Sequence, residues 1–357
     1  MATIVSGYYN LQRDDQYYSP GQGRTHQQYI EHGKSLLSIK LPIIIFCSPE
    51  DKEVIIKIRS EVCPKFPISV IDIPFDKLLK YKHYNKMLDL KGRKVHDKYS
   101  AGYYLIVHSK VDFMLRSIQE NPFNSNFYIW IDFGIRHVTE IPVDIEQRIN
   151  RLQNINLRLD LLNFIPNDIK EGDIIKFCSD SSSYVAGGCF MGKPEHLKFF
   201  CEKVNSYFDY IMENDYICLE EKLFSLFISN YKDKVSPYIA RFTSILDNIE
   251  TLTKDSDLYL YIMEQEANNR GKFIYDLSNY GLKSNINNSI RFKVLDFKLI
   301  NCWYTDRKDM GIGCILEIMQ LTKDREIKKI FDSNLEYYLR NFSYYTDYYK
   351  SKNIISL

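Results

Sequence analysis

Short apolar runs alternate with amphipathic stretches through the N-terminal half of this chain, and this alternation limits its fold more than any other feature. Apolar, β-rich runs occur at ATIVSGYY, LPIIIFCS, ISVIDIPF and FYIWID. Between them, residues 25–38, DKEVIIKIRSEV and AGYYLIVHSKVDFMLRSIQENP have helical spacing. This order predicts βαβ units, and therefore a mostly parallel sheet that helices cover on both faces.

Later segments are less regular. Residues 140–167 have a polar, helical pattern, DIIKFCSDSSS is typical of a strand that enters a serine-rich loop, and YVAGGCFMG supplies glycine pivots before a helix. Beyond residue 251 we expect amphipathic helices around a small extended segment, IRFKVLDFKLINCWY. We therefore predict an α/β domain over residues 1–250 and a mainly helical C-terminal extension over residues 251–357.

Charge and cysteine content narrow the class of protein. Lys plus Arg number 47 and Asp plus Glu number 46, so a net charge of +1 gives no general attraction to nucleic acid or to anionic membranes. No apolar run reaches 18 residues, and the start MATIVSGYYN has no basic region followed by a long apolar segment, so we expect no transmembrane segment. The 8 cysteines form no C-x-x-C pair, which favours free thiols and a cytoplasmic location.

Polar residues follow the predicted strands at the edge where open α/β sheets bind ligands. Asp132 ends the run FYIWID, and Gly134 permits a turn directly after it. A carboxylate in this position either holds a divalent cation that bridges to a diphosphate or caps the following turn. At the end of the first strand lie the further candidates Ser6, Gly7, Asn10 and Arg13.

Three other residues and one glycine pair are candidates for the same site. The adjacent Gly187 and Gly188 either admit a sugar or phosphate to their backbone amides or form a tight strand-to-helix turn. Lys110 is either a solvated surface charge, which composition favours, or a contact to a ligand or to acidic neighbours. Glu220 and Glu221 are consecutive on a helix, so we expect at most one of them to face a site as an acid or base.

Two short motifs are excluded by their context. DFG at residues 132–134 lacks the catalytic loop, the glycine-rich loop and the lysine strand of a protein kinase. SPGQGR at residues 19–24 lacks the third glycine and the preceding strand of a dinucleotide-binding fingerprint. Neither motif therefore indicates a function.

The combined motifs resemble the HtrL/YibB (WlaTC-type) family of glycosyltransferase-like proteins. The resemblance rests on TIVSGYYNLQR, HSKVDFMLRSIQENPFNSNFYIWIDFGIRH, VAGGCFMG and EEKLF, and it covers residues 3 to 242. Its most specific part is Trp130-x-Asp132-x-Gly134. The resemblance implies a GT-A-like, Rossmann-like nucleotide-sugar fold with Mn²⁺ or Mg²⁺.

The resemblance also implies an activity and its substrates. A hexosyl or pentosyl group would pass from a nucleotide-diphosphate sugar, with UDP favoured, to a glycan or glycolipid acceptor in surface polysaccharide or glycoconjugate synthesis. Asp132 would take the place of the first acid of the metal-binding D-x-D motif, although Gly134 replaces the second acid. Two other functions fit the pattern: an inactive GT-A-like protein that binds glycans or acts as a scaffold, and a nucleotidyltransferase.

The resemblance gives each candidate residue a role. Asn10 and Arg13 would line the nucleotide side, and Ser6, Gly7, Lys110 and Gly134 are further candidates for cofactor binding. Gly187 and Gly188 would admit the donor sugar or the acceptor. Glu220 or Glu221 would be the acid that faces the acceptor.

Overall fold

The computed structural model divides the chain into two compact units, Met1–Leu252 and Thr253–Leu357. In the first unit it describes residues 1–11, 25–92, 99–162, 169–179, 184–240, 242–247 and 249–250. In the second unit the described residues are 291–292, 294–296, 298–299, 302, 308–321 and 328.

A seven-stranded sheet with the order β3-β2-β1-β4-β6-β5-β7 forms the centre of the first unit. All neighbouring strands are parallel except β6, which runs antiparallel to both β4 and β5. The prediction of a mostly parallel α/β sheet is therefore confirmed. The strands are β1 (Ala2–Tyr8), β2 (Ile43–Cys47), β3 (Ile68–Asp72), β4 (Phe127–Ile131), β5 (Leu157–Leu161), β6 (Val185–Gly192) and β7 (Tyr238–Ile239).

Helices flank this sheet. The first unit contains α1 (His26–Leu37), α2 (Lys52–Val62), α3 (Tyr84–Gly92), α4 (Ala101–Glu120), α5 (Ile145–Arg151), α6 (Ile174–Ser179), α7 (Pro194–Glu213) and α8 (Glu220–Asn230). The described part of the second unit contains α9 (Lys308–Leu321). No described helix has both the length and the apolar character needed to cross a membrane.

The position of strand β4 inside the sheet explains why its sequence is apolar throughout. All five of its residues are buried, because successive side chains enter opposite faces of a sheet that is covered twice. Ile129 and Ile131 join a core cluster with residues of α1, α2 and α5. On the other face, Trp130 stacks between Phe113 of α4 and Phe190 of β6.

Four local predictions were wrong. The region expected to be polar and helical contains β5, DIIKFC forms α6 instead of a strand, and VAGGCFMG is strand β6. In the segment expected to be extended, the described residues among 291–302 are helical. Short apolar runs fit a strand and a buried helical turn equally well, so tertiary packing decides between them. The 8 cysteines are free and buried, as predicted.

Candidate active site

Asp132 follows β4 and remains in the sheet ladder, because its backbone N–H donates to the carbonyl of Gly188 at 3.0 Å. Its Oδ1 accepts a hydrogen bond from the indole Nε1 of Trp130 at 2.7 Å. The short helix that follows, Ile135–His137, has no side-chain cap. The carboxylate of Asp132 therefore does not cap the turn, and its side chain is 34% exposed.

The buried ammonium of Lys110 holds this carboxylate. Its Nζ lies 2.9 Å from Oδ1 of Asp132 and 2.7 Å from Oε1 of Glu220, and it donates to the carbonyl of Gly187 at 3.0 Å. An ammonium has three donors, and these three partners use all of them. The structure thus shows Lys110 in contact with acidic neighbours, and the interpretation as a solvated surface charge was wrong because Lys110 is buried.

Charge compensation keeps Lys110 protonated. Burial by itself lowers the pKa of a lysine, but the negative charges of Asp132 and Glu220 outweigh it and raise the pKa of Lys110 above its ordinary value. The cluster nevertheless has two carboxylates against one ammonium. Its excess charge is therefore negative.

Glu220 and Glu221 both approach Gly187. Glu220 begins α8 and is buried against Lys110, whereas Glu221 is partly exposed and accepts a hydrogen bond from the Gly187 N–H at 3.1 Å. A Cβ at Gly187 would contact both side chains, so the first two residues of α8 pack against the same glycine.

The two glutamates differ in chemistry. Burial, followed by the negative charge of Glu220, raises the pKa of Glu221 from 4.5 to about 7, while the Gly187 N–H and Lys110 act in the opposite direction. A carboxyl group with such a pKa exchanges its proton near neutral pH, which suits a general base. Glu220, in contrast, is held by the Lys110 ammonium.

The packing leaves little room for a side chain at Gly187 and Gly188, the adjacent glycines of β6. A Cβ at Gly187 would lie 2.3 Å from Oε1 of Glu220, so the space beside that glycine is filled by the protein's own carboxylate. A Cβ at Gly188 would lie 3.1 Å from Ile135 Cδ1 and 3.6 Å from Oδ2 of Asp132. Gly188 is partly exposed and Gly187 is buried, so only Gly188 borders the open side of the acids.

Gly134 serves close packing between elements. A Cβ on this residue would lie 3.0 Å from the ring of Tyr29 in α1. It has no side chain with which to assist Asp132. Within the described part of the chain, no group of three or more His, Cys, Asp or Glu residues is arranged to hold a metal ion.

Of the residues in this cluster, Asp132 is the one placed to contact a divalent cation, through its exposed side. Asp132 has an exposed side from which it can supply a single oxygen ligand, and Mg²⁺ in particular is commonly held by one or two carboxylates together with substrate phosphates and water. The resident ammonium of Lys110 already neutralises the inner side of the acids. A cation would thus lie on the solvent side of Asp132.

Of the candidates in and after β1, Ser6 and Gly7 lie in the strand that pairs with β4, where Val5 is opposite Trp130. Ser6 is fully buried in the sheet, and its Oγ has no hydrogen-bond partner among the described residues. Gly7 makes room for the aromatic stack, because a Cβ there would lie 3.1 Å from the ring of Phe113. Asn10 follows the strand and is partly exposed. Arg13 falls outside the described residues.

Sequence reasoning gave no role to Trp130, although it is part of the most specific motif. Residues two apart on a strand point to the same face. That spacing is the signal that would have predicted contact between the indole of Trp130 and the carboxylate of Asp132.

Comparisons with known proteins agree with the sequence motifs. A family model described as "Bacterial protein of unknown function (HtrL_YibB)" matches residues 1–236, which confirms the resemblance. No curated protein matched the chain.

Two solved structures are similar to the chain in fold. Mouse xyloside xylosyltransferase 1 in its apo form has a TM-score of 0.37 and 8% identity, over 66% of this chain and 85% of that one. Core-mannan synthase A from Aspergillus fumigatus in its Mn/GDP form has a TM-score of 0.41 and 12% identity, over 66% of this chain and 72% of that one.

Proposed function

We propose, from the premise that the chain belongs to the HtrL_YibB family, that it is a glycosyltransferase whose N-terminal unit carries the active site. The donor would be a nucleotide-diphosphate sugar, with UDP favoured, and the acceptor a glycan or glycolipid. One observation carries the proposal: Asp132 and Glu220 bind Lys110 at the carboxyl end of β4, and beside them Glu221, whose pKa burial raises to about 7, accepts the Gly187 N–H.

The excess negative charge supports a role for a cation. A diphosphate beside Asp132 would be repelled by the two carboxylates, of which Lys110 neutralises only one. We therefore retain Mn²⁺ or Mg²⁺ as the proposed cofactor, with Asp132 as its protein ligand. When bound, such a cation offsets the negative charge that develops on the departing diphosphate.

Glu221 is the proposed general base. It would take the proton of the acceptor hydroxyl while the acceptor oxygen bonds to the anomeric carbon, and the bond from that carbon to the diphosphate breaks with its electron pair on the diphosphate. Glu221 is partly exposed and accepts only the Gly187 amide among the contacts described above. Glu220 is a positioning residue, since Lys110 holds it in place.

The first test is nucleotide release from UDP-, GDP-, CMP- and dTDP-sugars by the full chain, with and without Mn²⁺. We expect one donor to be consumed, and both Asp132→Asn and Glu221→Gln to lower turnover by about 10² to 10⁴. Glu202→Gln on the exposed side of α7 is the matched control and should retain turnover. Retained turnover in Asp132→Asn or Glu221→Gln would refute that residue's role.

One observation favours a second function, an inactive glycan-binding or scaffolding protein. Gly134 stands where a second metal-binding acid is expected, and Asp132 already has two partners within the protein. Such a protein would bind glycans without consuming a nucleotide sugar. Absence of turnover with every donor, in a folded sample that binds a glycan, would support this function and overturn the first. A cytoplasmic location remains a prediction.

A further inference from the structure

Two tyrosines lie at the start of α4, outside the acidic cluster. The rings of Tyr99 and Tyr103 stack with centroids 4.6 Å apart and planes at 12°. Ser100 caps the helix, because its Oγ accepts the Tyr103 N–H at 3.0 Å. Both tyrosines are partly exposed. The helix cap thus fixes a pair of aromatic rings near the surface.

Tyr103 is oriented toward the acids. It precedes Lys110 by seven residues, which is about two helical turns, so both side chains lie on the same face of α4. Burial and then the charges of Glu220 and Asp132 raise the pKa of Tyr103 above its ordinary value. The hydroxyl therefore stays protonated, and it lies within electrostatic reach of the proposed reaction centre.

The first turn of α4 also borders the end of β1. A Cβ at Gly102 would lie 3.2 Å from Cδ2 of Leu11 and 3.5 Å from the ring of Phe75. Tyr103, the next residue, is therefore close both to the chain that leaves β1 and to the acids. This is where the sugar of a substrate must lie if its nucleotide follows β1 and its reacting carbon approaches Glu221.

We propose that Tyr99 and Tyr103 form a stacking platform for a pyranose ring, with the Tyr103 hydroxyl as a hydrogen-bond donor to that ring. This inference rests on the proposed function, because it assigns a substrate sugar to the same site. A pyranose has an apolar face of C–H groups that packs on an aromatic ring and hydroxyls at its rim that need polar partners. The stacked tyrosines supply a surface for the apolar face, and the protonated hydroxyl of Tyr103 supplies a polar partner for the rim hydroxyls.

The test measures binding and does not need turnover. Saturation-transfer NMR on the full chain would use the methyl pyranosides of glucose, galactose, mannose and xylose as probes. We expect at least one probe to bind, with binding about tenfold weaker in Tyr103→Ala, the effect of losing an aromatic contact. Tyr103→Phe keeps the ring but loses the hydroxyl, so its affinity for the probe should lie between those of wild type and Tyr103→Ala. Tyr99→Ala should weaken binding through loss of the stack.

Tyr231→Ala is the matched control. Tyr231 is also partly exposed and packs on aromatic rings, but it lies at the far end of α8, about 15 Å along the helix from Glu220. The control should bind the probe as wild type does. Thermal midpoints of all variants identify any that fail to fold, and Tyr103→Phe then carries the test.

Competition separates the two possible sources of the sugar. Displacement of the pyranoside by a UDP-sugar but not by UDP assigns the platform to the donor, and no displacement by either assigns it to the acceptor. Wild-type binding in Tyr103→Ala, absence of binding by every probe, or displacement by uridine alone would overturn the proposal. A platform that binds pyranosides in a protein without turnover would refute the transferase but not the platform.

Discussion

Two buried lysines bind carboxylates at helix α4, and their surroundings differ. Lys110 lies on α4 itself, whereas Lys80 binds Asp112 of that helix. Lys80 binds Oδ2 of Asp112 at 2.5 Å and Oδ1 of Asn205 at 2.7 Å. Asn205 in turn donates to Oδ1 of Asp112 at 2.9 Å. This cluster has one carboxylate for one ammonium, and Asp112 is only 10% exposed. Its polar groups bind each other, so it serves as a neutral link between elements.

The cluster around Lys110 lacks this balance. It contains two carboxylates in contact with one ammonium, and Asp132 is 34% exposed where Asp112 is nearly enclosed. The pKa values reflect the difference: burial outweighs Asp112 and lowers the pKa of Lys80, whereas two carboxylates raise that of Lys110. Unbalanced charge with access to solvent thus distinguishes a candidate site from a structural ion pair.

The largest effect on stability is expected when each ammonium is removed. Lys110→Met leaves Asp132 and Glu220 without their counter-charge, and we expect a loss of about 3–5 kcal/mol in the free energy of unfolding. Lys80→Met leaves one carboxylate, which still has Asn205 as a partner, so its loss should be smaller. Denaturant unfolding at neutral pH measures both. Equal losses would contradict the distinction.

A smaller effect is expected from crowding the Lys110 cluster. Gly187→Ala places a methyl group where Oε1 of Glu220 lies, and we expect a cost of about 1–3 kcal/mol in the free energy of unfolding together with lower nucleotide release. Gly172→Ala is the matched control, since a Cβ there has no neighbour within 4 Å. If the two variants unfold at the same denaturant concentration, Glu220 is free to move and does not have a fixed position.

The smallest expected effect is the pH dependence of stability that the protonation of Glu221 causes. Its pKa rises from 4.5 to about 7 on folding, so the folded protein holds a proton that the unfolded chain releases between these values. The stability contributed by this proton is complete below pH 4.5 and is lost as the pH rises through about 7. Thermal midpoints of wild type should therefore fall relative to Glu221→Gln over this window. Parallel profiles would show that Glu221 does not titrate there.

The fold was predictable where burial on both faces of the sheet makes a strand apolar along its whole length. Strands β2 and β4 are apolar throughout, and α4 has one long helical pattern, so these elements were predicted correctly. Strand β5 was missed because it carries Arg158 and Asp160. Tertiary contacts make that burial possible: Oδ1 of Asp160 accepts the Ala240 N–H at 2.9 Å, and the Arg158 guanidinium lies over the ring of Tyr238.

The site was predictable only in part, for a related reason. Asp132 could be placed at the edge of the sheet because it ends a strand. Its contact with Lys110 could not, since that depends on how α4 packs on β4 and on how closely α8 approaches Gly187. Sequence identified the groups, whereas the division of roles between Glu220 and Glu221 follows from which of them the ammonium reaches.

The hydrogen bond from Trp130 to Asp132 gives the protein an optical reporter of its own. The chain has 2 tryptophans, Trp130 and Trp303. The Trp130 indole N–H is bonded at 2.7 Å to the carboxylate proposed to hold the cation, so its emission is sensitive to the charge near that oxygen. In a Trp303→Phe background, tryptophan fluorescence, excited selectively over that of the 28 tyrosines, would come from this single indole and would follow events at Asp132 without any attached label.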